Sequence, residues 1–292
     1  MRHTISMSFF LWLLQSIAYG QLMYDWENRA ENFHYRVKNI EFFIDRFNNQ
    51  PEGSGSAHAA NPKDTAACLA FMKERDFKLY SLFDLNRINK KDEKLKQKIN
   101  AFFRDINSPY QPKFLRFEDM YWYAELMLTV HTKGQQKKLR CILQIVPLGN
   151  GALGWVIRSF HSTELMIEER FRSNLLFFPP SINGTDFMGV RLALNDPEWM
   201  GVRLALNNPE WTKEKSGKPE LSNSIILKQL SEGQLKIEAI SRITYHFLQL
   251  EGWIITVNYV NRESKNSGWL MDLLQPATRQ EKVNYIKELS VD

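Results

Sequence analysis

The spacing of apolar residues changes near Pro112, and that change limits the class of fold open to the chain. Between Trp26 and Asn48 apolar side chains fall at Phe33, Val37, Ile40, Ile44 and Phe47, in steps of four and three. Such spacing lays one stripe along an amphipathic helix that must pack on another element. Pro51, Gly53, Gly55 and Pro62 make the stretch from Gln50 to Lys63 a flexible connection. A second helix is predicted from about Asp64 to Phe83, with Cys68, Phe71, Met72, Leu79 and Phe83 inward. A third is predicted from Lys91 to Ile106, with Leu95, Ile99, Phe102 and Ile106 inward, stopped by Pro109 and Pro112.

Beyond Pro112 the period becomes two. From Tyr121 to Val130, Trp122, Ala124, Leu126, Leu128 and Val130 share one face of a strand, and Tyr121, Tyr123, Glu125, Met127 and Thr129 share the other. Thr132-Lys133-Gly134-Gln135 makes a turn, Leu139 to Val146 a second strand, Gly149-Asn150-Gly151 another turn, and Leu153 to Phe160 a third strand. Helices followed by strands are the pattern of an α+β fold, with helices packed on a curved antiparallel sheet. The second half echoes the first. Ser222 to Leu235 reads as a helix, Leu235 to Leu250 and Trp253 to Arg262 as strands, and Gly268-Trp269 opens a third strand as Gly154-Trp155 does earlier. Arg279 to Leu289 reads as a final helix with Val283, Ile286 and Leu289 on its apolar side.

One internal repeat is unambiguous. Met188 to Trp199 recurs at once as Met200 to Trp211, differing only at Asp196 and Asn208. Two copies are too few for a solenoid. Asp196-Pro197 and Asn208-Pro209 read as helix caps with proline in the first turn, so two short helices joined end to end are expected, in a surface connection.

Arg2 precedes the apolar run Met7 to Leu14, and Ala18-Tyr19-Gly20 follows it. This reads as a cleavable export signal over residues 1–20, too short to span a bilayer, with Gln21 as the first mature residue and a secreted or periplasmic location. The chain has 292 residues, is 43% hydrophobic and 24% charged, and carries a net charge of +5, a composition for a globular body rather than a disordered one. Lys90, Lys91, Lys94, Lys96 and Lys98 are interrupted by Asp92 and Glu93, which favours a solvated helix face and gives no nucleic-acid partner. Export permits a Cys68–Cys141 bridge, but both cysteines lie on apolar faces, where a free thiol behaves as a small hydrophobe. No metal, nucleotide or serine-hydrolase motif occurs, so no cofactor is expected. Asn183-Gly184-Thr185 fits a glycosylation sequon.

Asn39 to Asn48 as an opening helix and Tyr121 to Phe160 as hairpins ending on Gly154-Trp155-Val156-Ile157 resemble the cone-shaped superfamily of ketosteroid isomerase, SnoaL-like enzymes and nuclear transport factor. The resemblance covers residues 26–161 and is similar to exported members without known catalysis. It implies a cone-like α+β domain at 21–162, leaving a connection at 163–221 that holds the repeat and a second α+β unit at 222–292. In catalytic members a carboxylate inside the cone transfers a proton and a tyrosine holds the oxyanion, but no residue carries over by motif. From the residues themselves, Glu125 is the candidate base, its pKa raised if its face lines a cavity, and Tyr123 the candidate oxyanion donor. Tyr121, Tyr123, Glu125 and Met127 would line a binding surface.

The expected function is a non-catalytic exported module that binds a small apolar ligand, a peptide or a glycan, or docks on an envelope protein. Its aromatic stock would include Trp199, Trp211, Trp253 and Trp269 on the surface. An isomerase or dehydratase using Glu125 and an accessory of an envelope assembly are the alternatives.

Overall fold

A computed structural model of the chain describes residues 35–51, 65–87, 92–108, 111–147, 153–178, 224–263 and 266–290. The export signal, most of the 50–63 connection, the Gly149–Gly151 turn, the sequon at 183–185 and the repeat at 188–211, with Trp199 and Trp211, lie outside these residues. The fold is α+β. Among the described residues eight strands form one curved, open and mostly antiparallel sheet in the order β1-β8-β7-β6-β2-β3-β4-β5. They are β1 Arg36–Val37, β2 Trp122–Thr132, β3 Gln135–Pro147, β4 Leu153–Ser162, β5 Ile167–Phe178, β6 Lys236–Phe247, β7 Trp253–Val260 and β8 Ser267–Pro276. The helices among the described residues are α1 Ile40–Phe47, α2 Thr65–Ser81, α3 Glu93–Ile106, α4 Ile225–Ser231 and α5 Arg279–Leu289. The chain divides into two compact units, residues 1–38, 42–115 and 260–271 in one, residues 39–41, 116–259 and 272–292 in the other.

The first unit is built from α1, α2 and α3. Phe43, Phe47, Phe83, Phe102 and Phe103 interlock at centroid separations of 6.0–6.4 Å, the range in which aromatic pairs add to simple burial. Asp92 caps α3 by accepting from the Leu95 amide at 3.0 Å. Into the apolar cluster runs a charge: Arg75 is fully buried on α2. Its Nε donates to the carbonyl of Phe47 and its Nη1 to that of Ile106, each at 3.0 Å, while Nη2 donates to Lys113 O. Phe47 and Ile106 are the last residues of α1 and α3, whose final carbonyls have no intrahelical donor. One guanidinium therefore closes two helix ends and a loop. Burial pulls Arg75 down to about 9 against the opposing charge of Asp76. Asp76 itself is pushed up to about 6 by burial, although Asn107 donates to it at 2.7 Å.

The helix expected from Trp26 to Asn48 starts only at Ile40 among the described residues. Arg36 and Val37 instead form β1, paired parallel with Ser267 and Gly268 of β8. Tertiary pairing overrides local spacing here: the Ser267 amide donates to Tyr35 O at 2.9 Å. Gly268 has φ +88, and a Cβ there would sit 2.0 Å from Val37 O. Glycine is the residue that lets the two backbones meet.

The second unit holds the meander β2-β3-β4-β5, with β6 antiparallel to the other edge of β2 and β7 to that of β6. Lys133 and Gly134 both take positive φ, the geometry of a two-residue hairpin turn, and this sets Thr132 opposite Gln135. Trp122, Ala124, Leu126, Leu128 and Val130 are all fully buried, as their alternation predicts. Trp122 stacks on Phe247 at 5.2 Å and meets Trp155 edge-on at 4.8 Å. Strand β5 lies within the stretch read as connection. Its Glu169 accepts from Ser224 Oγ at 2.6 Å and from the Ile225 amide at 2.5 Å, seating the start of α4. Trp253 and Trp269, expected at the surface, are buried, because both sit on inward positions of their strands. Cys68 and Cys141 are both buried, and no disulfide joins them.

Two substitutions test this architecture. Gly268→Ala is expected to lower unfolding stability by about 3 kcal/mol or more through the clash with Val37; an unchanged urea midpoint would contradict the β1–β8 pairing. Arg75→Met should remove about 3 kcal/mol or more, since the carbonyls of Phe47, Ile106 and Lys113 each lose a guanidinium donor, Ile106 keeping only the Lys113 amide, and a stability within error of the parent would contradict the clasp.

Candidate functional site

The face of β2 opposite its apolar stripe carries the sequence-derived candidates, and the structure treats each differently. Tyr121 is 57% exposed, beside Met120 at 46%. Tyr123 is buried in a cluster with Ile142, Leu248, Ile254, Ala277 and Leu289, with Tyr285 and Ile286 packed against it. Three of those residues come from α5, so the last helix covers the part of the sheet face expected to line a cavity. A Thr278–Glu281 capping box starts α5, and Lys282 Nζ donates to Leu248 O at 2.8 Å and to Leu250 O. Burial pushes the Tyr123 phenol up to about 12. It is a core residue, and the oxyanion role expected of it finds no place under a packed helix. Met127 is half-buried between Arg140 and Arg242 in cross-strand register.

Glu125 is where the polar groups converge. Its Oε2 lies 3.3 Å from Arg140 Nη2, and its Oε1 3.3 Å from Arg242 Nη2. His246 Nε2 stands 3.5 Å from Oε2, at the limit of hydrogen-bond reach, so that contact is chiefly electrostatic. The other imidazole nitrogen, Nδ1, is 2.7 Å from the hydroxyl of Tyr285 on α5. The register explains the convergence: Glu125 pairs with Ile142 on β3 and Thr244 on β6, and Arg140, Arg242 and His246 are diagonal neighbours.

The electrostatics reverse the expectation for Glu125. Burial alone raises its pKa, as a cavity base would need. The imidazole of His246 and the charges of Arg140 and Arg242 outweigh that and hold the carboxyl down at about 2. The site therefore holds a carboxylate that stays ionised and spent on its partners, a poor proton acceptor near neutrality. Arg242 was invisible as a partner because it lies 117 residues away, whereas Arg140, 15 residues away, sits just across the Lys133-Gly134 hairpin. Tyr285 is also pushed up, to about 12, first by burial and then by the Glu125 charge.

Among the described residues no group of three or more His, Cys, Asp or Glu side chains is placed to hold a metal ion, and no helix is long and apolar enough to cross a membrane. Comparison with protein-family models, with curated proteins and with solved structures finds no match in any of the three.

The lowered pKa of Glu125 fixes a sign. A carboxylate held at about 2 when folded, against 4.5 ordinarily, adds stability that is complete above pH 4.5 and fades as pH falls toward 2. Glu125→Gln should therefore destabilise by about 2 kcal/mol at pH 7, allowing for screening at the exposed Arg242, and by much less at pH 2.5. Equal losses at both pH values in chemical denaturation would contradict the ion-pair assignment.

Proposed function

We propose that the chain is an exported, non-catalytic binding or interaction module. The observation that carries the reading is the state of Glu125: the carboxyl best placed by sequence for proton transfer is tied to two guanidiniums and an imidazole at 3.3–3.5 Å and kept ionised. Tyr123, its supposed helper, is core under α5. An isomerase or dehydratase acting through Glu125 would need the opposite shift, and kinship with the cone-shaped superfamily enters the reading only on its binding side.

Export rests on the leader-like residues 1–20. Binding rests on the entry to β2, where Met120 and Tyr121 stand in water just before a strand whose first three residues are buried. An exposed tyrosine immediately before a well-paired strand gives a large apolar contact with a polar tip at small entropic penalty, suited to a small apolar ligand, a peptide or a glycan.

Expression with the native leader in a secreting host should release protein whose first residue is Gln21; retention of Met1 in all material would contradict export. A thermal-shift panel of apolar small molecules, peptides and glycans should find a class that raises Tm in the parent and not in Tyr121→Ala. A panel in which every response survives that substitution would remove Tyr121 from the binding surface.

A further inference from the structure

Besides His246 Nε2, which stands 3.5 Å from Glu125, two polar atoms on the Glu125 face have no hydrogen-bond partner although they are buried: Arg140 Nη1 and His161 Nδ1. They are not scattered. Arg140 and His161 are directly opposed on β3 and β4, and the same transverse row continues to Met127 on β2 and Arg242 on β6. Directly opposed residues of antiparallel strands point to one face, so the two unpartnered atoms share a surface.

The charges of that face are unequal. Arg140 and Arg242 both lean on the single carboxylate of Glu125, each through one contact of 3.3 Å rather than a bidentate fork. The next carboxylate in the row, Glu168 opposite His161, is itself engaged by Arg170 at 2.7 Å. Lys138, further along β3, donates from Nζ to Thr129 Oγ1 at 2.7 Å, while its backbone amide donates to the Glu164 carboxylate at 3.1 Å. The side chain of Arg140 is 13% exposed while its Nη1 is buried, so an anion would reach that atom only by displacing its cover, in a place dry enough for a charged hydrogen bond to count.

A guanidinium nitrogen can only donate, and an imidazole Nδ1 donates in one of its tautomers. One acceptor carrying negative charge would therefore satisfy both atoms and the surplus of cations, which water does only for the hydrogen bonds. We propose that Arg140 Nη1 and His161 Nδ1 hold an oxyanion, the carboxylate or phosphate group of a ligand, with Arg242 adding charge from beyond Met127. This deepens the binding reading above by giving the ligand an acidic group, and it uses none of the residues by which Tyr121 would act.

The test is calorimetric titration of the full chain at low ionic strength with inorganic phosphate and, separately, with acetate, chloride being the reference salt. Saturable binding of either anion is expected, phosphate alone pointing to a phosphate group and acetate alone to a carboxylate. His161→Ala should weaken it about tenfold or more, the loss of one charge-assisted hydrogen bond, and Arg242→Gln only a few-fold, through charge. Arg140→Gln should abolish it, and if that variant does not fold, His161→Ala decides. No saturable binding of either anion, or binding equal in the parent and His161→Ala, would overturn the proposal. A Tyr121-dependent thermal shift in the same preparation would leave the broader binding reading standing.

Discussion

Strand β2 is paired along its length on both sides, with β3 through a two-residue turn and with β6 across more than a hundred residues of chain. Its alternation leaves no freedom of register, because a slip of one residue would turn Trp122, Ala124, Leu126, Leu128 and Val130 out of the core and Glu125 into it. The aromatic contacts of Trp122 with Phe247 and Tyr245 on β6 and Trp155 on β4 lock that choice from two other strands at once. Whatever the second unit does on its other face, it does because this register brings Arg140, Arg242 and His246 around Glu125.

The polar cluster that results is a trade between burial and pairing. Taking a carboxylate largely out of water is unfavourable, and a lone buried Glu125 would take up a proton. Three partners reverse that balance. His246 then links the sheet to α5 through Tyr285, so the same cluster that keeps the carboxylate charged also contacts the helix that covers Tyr123. In the first unit Arg75 plays a comparable part. A buried cation is tolerated because helix ends supply carbonyls that need donors, and the flanking rings of Phe47 and Phe114, 5.5 and 4.7 Å from the guanidinium, accept a cation over their faces.

Much of the fold was legible in the sequence where apolar period was unbroken. The later two helices of the first half, the hairpins around β2, β3 and β4, and α5 at Arg279–Leu289 follow from spacing and turn residues alone. Strand β1 was not legible, since Val37 also fits a helical stripe and its pairing depends on a glycine 231 positions away. Arg75 and Asp76 were missed because a charge inside an apolar stripe reads as exposure unless its acceptors are known. At the site, the proximity of Arg140 to Glu125 could have been counted back from the Lys133-Gly134 turn, which fixes the β2–β3 register. Arg242 and His246 could not, because no local signal announces which strand will take the far edge of β2. The raised pKa expected of Glu125 followed correctly from burial and failed for want of those partners.

The central claim is that Glu125 is an ion-paired carboxylate and no proton-transfer base. Carbon-13 NMR titration of its side-chain carboxyl in the intact chain measures this directly. The account predicts a midpoint near 2, well below that of an exposed glutamate, moving upward when Arg140 is replaced by Gln. A midpoint at or above the ordinary 4.5 in the parent protein would contradict it and return Glu125 to the role of a base.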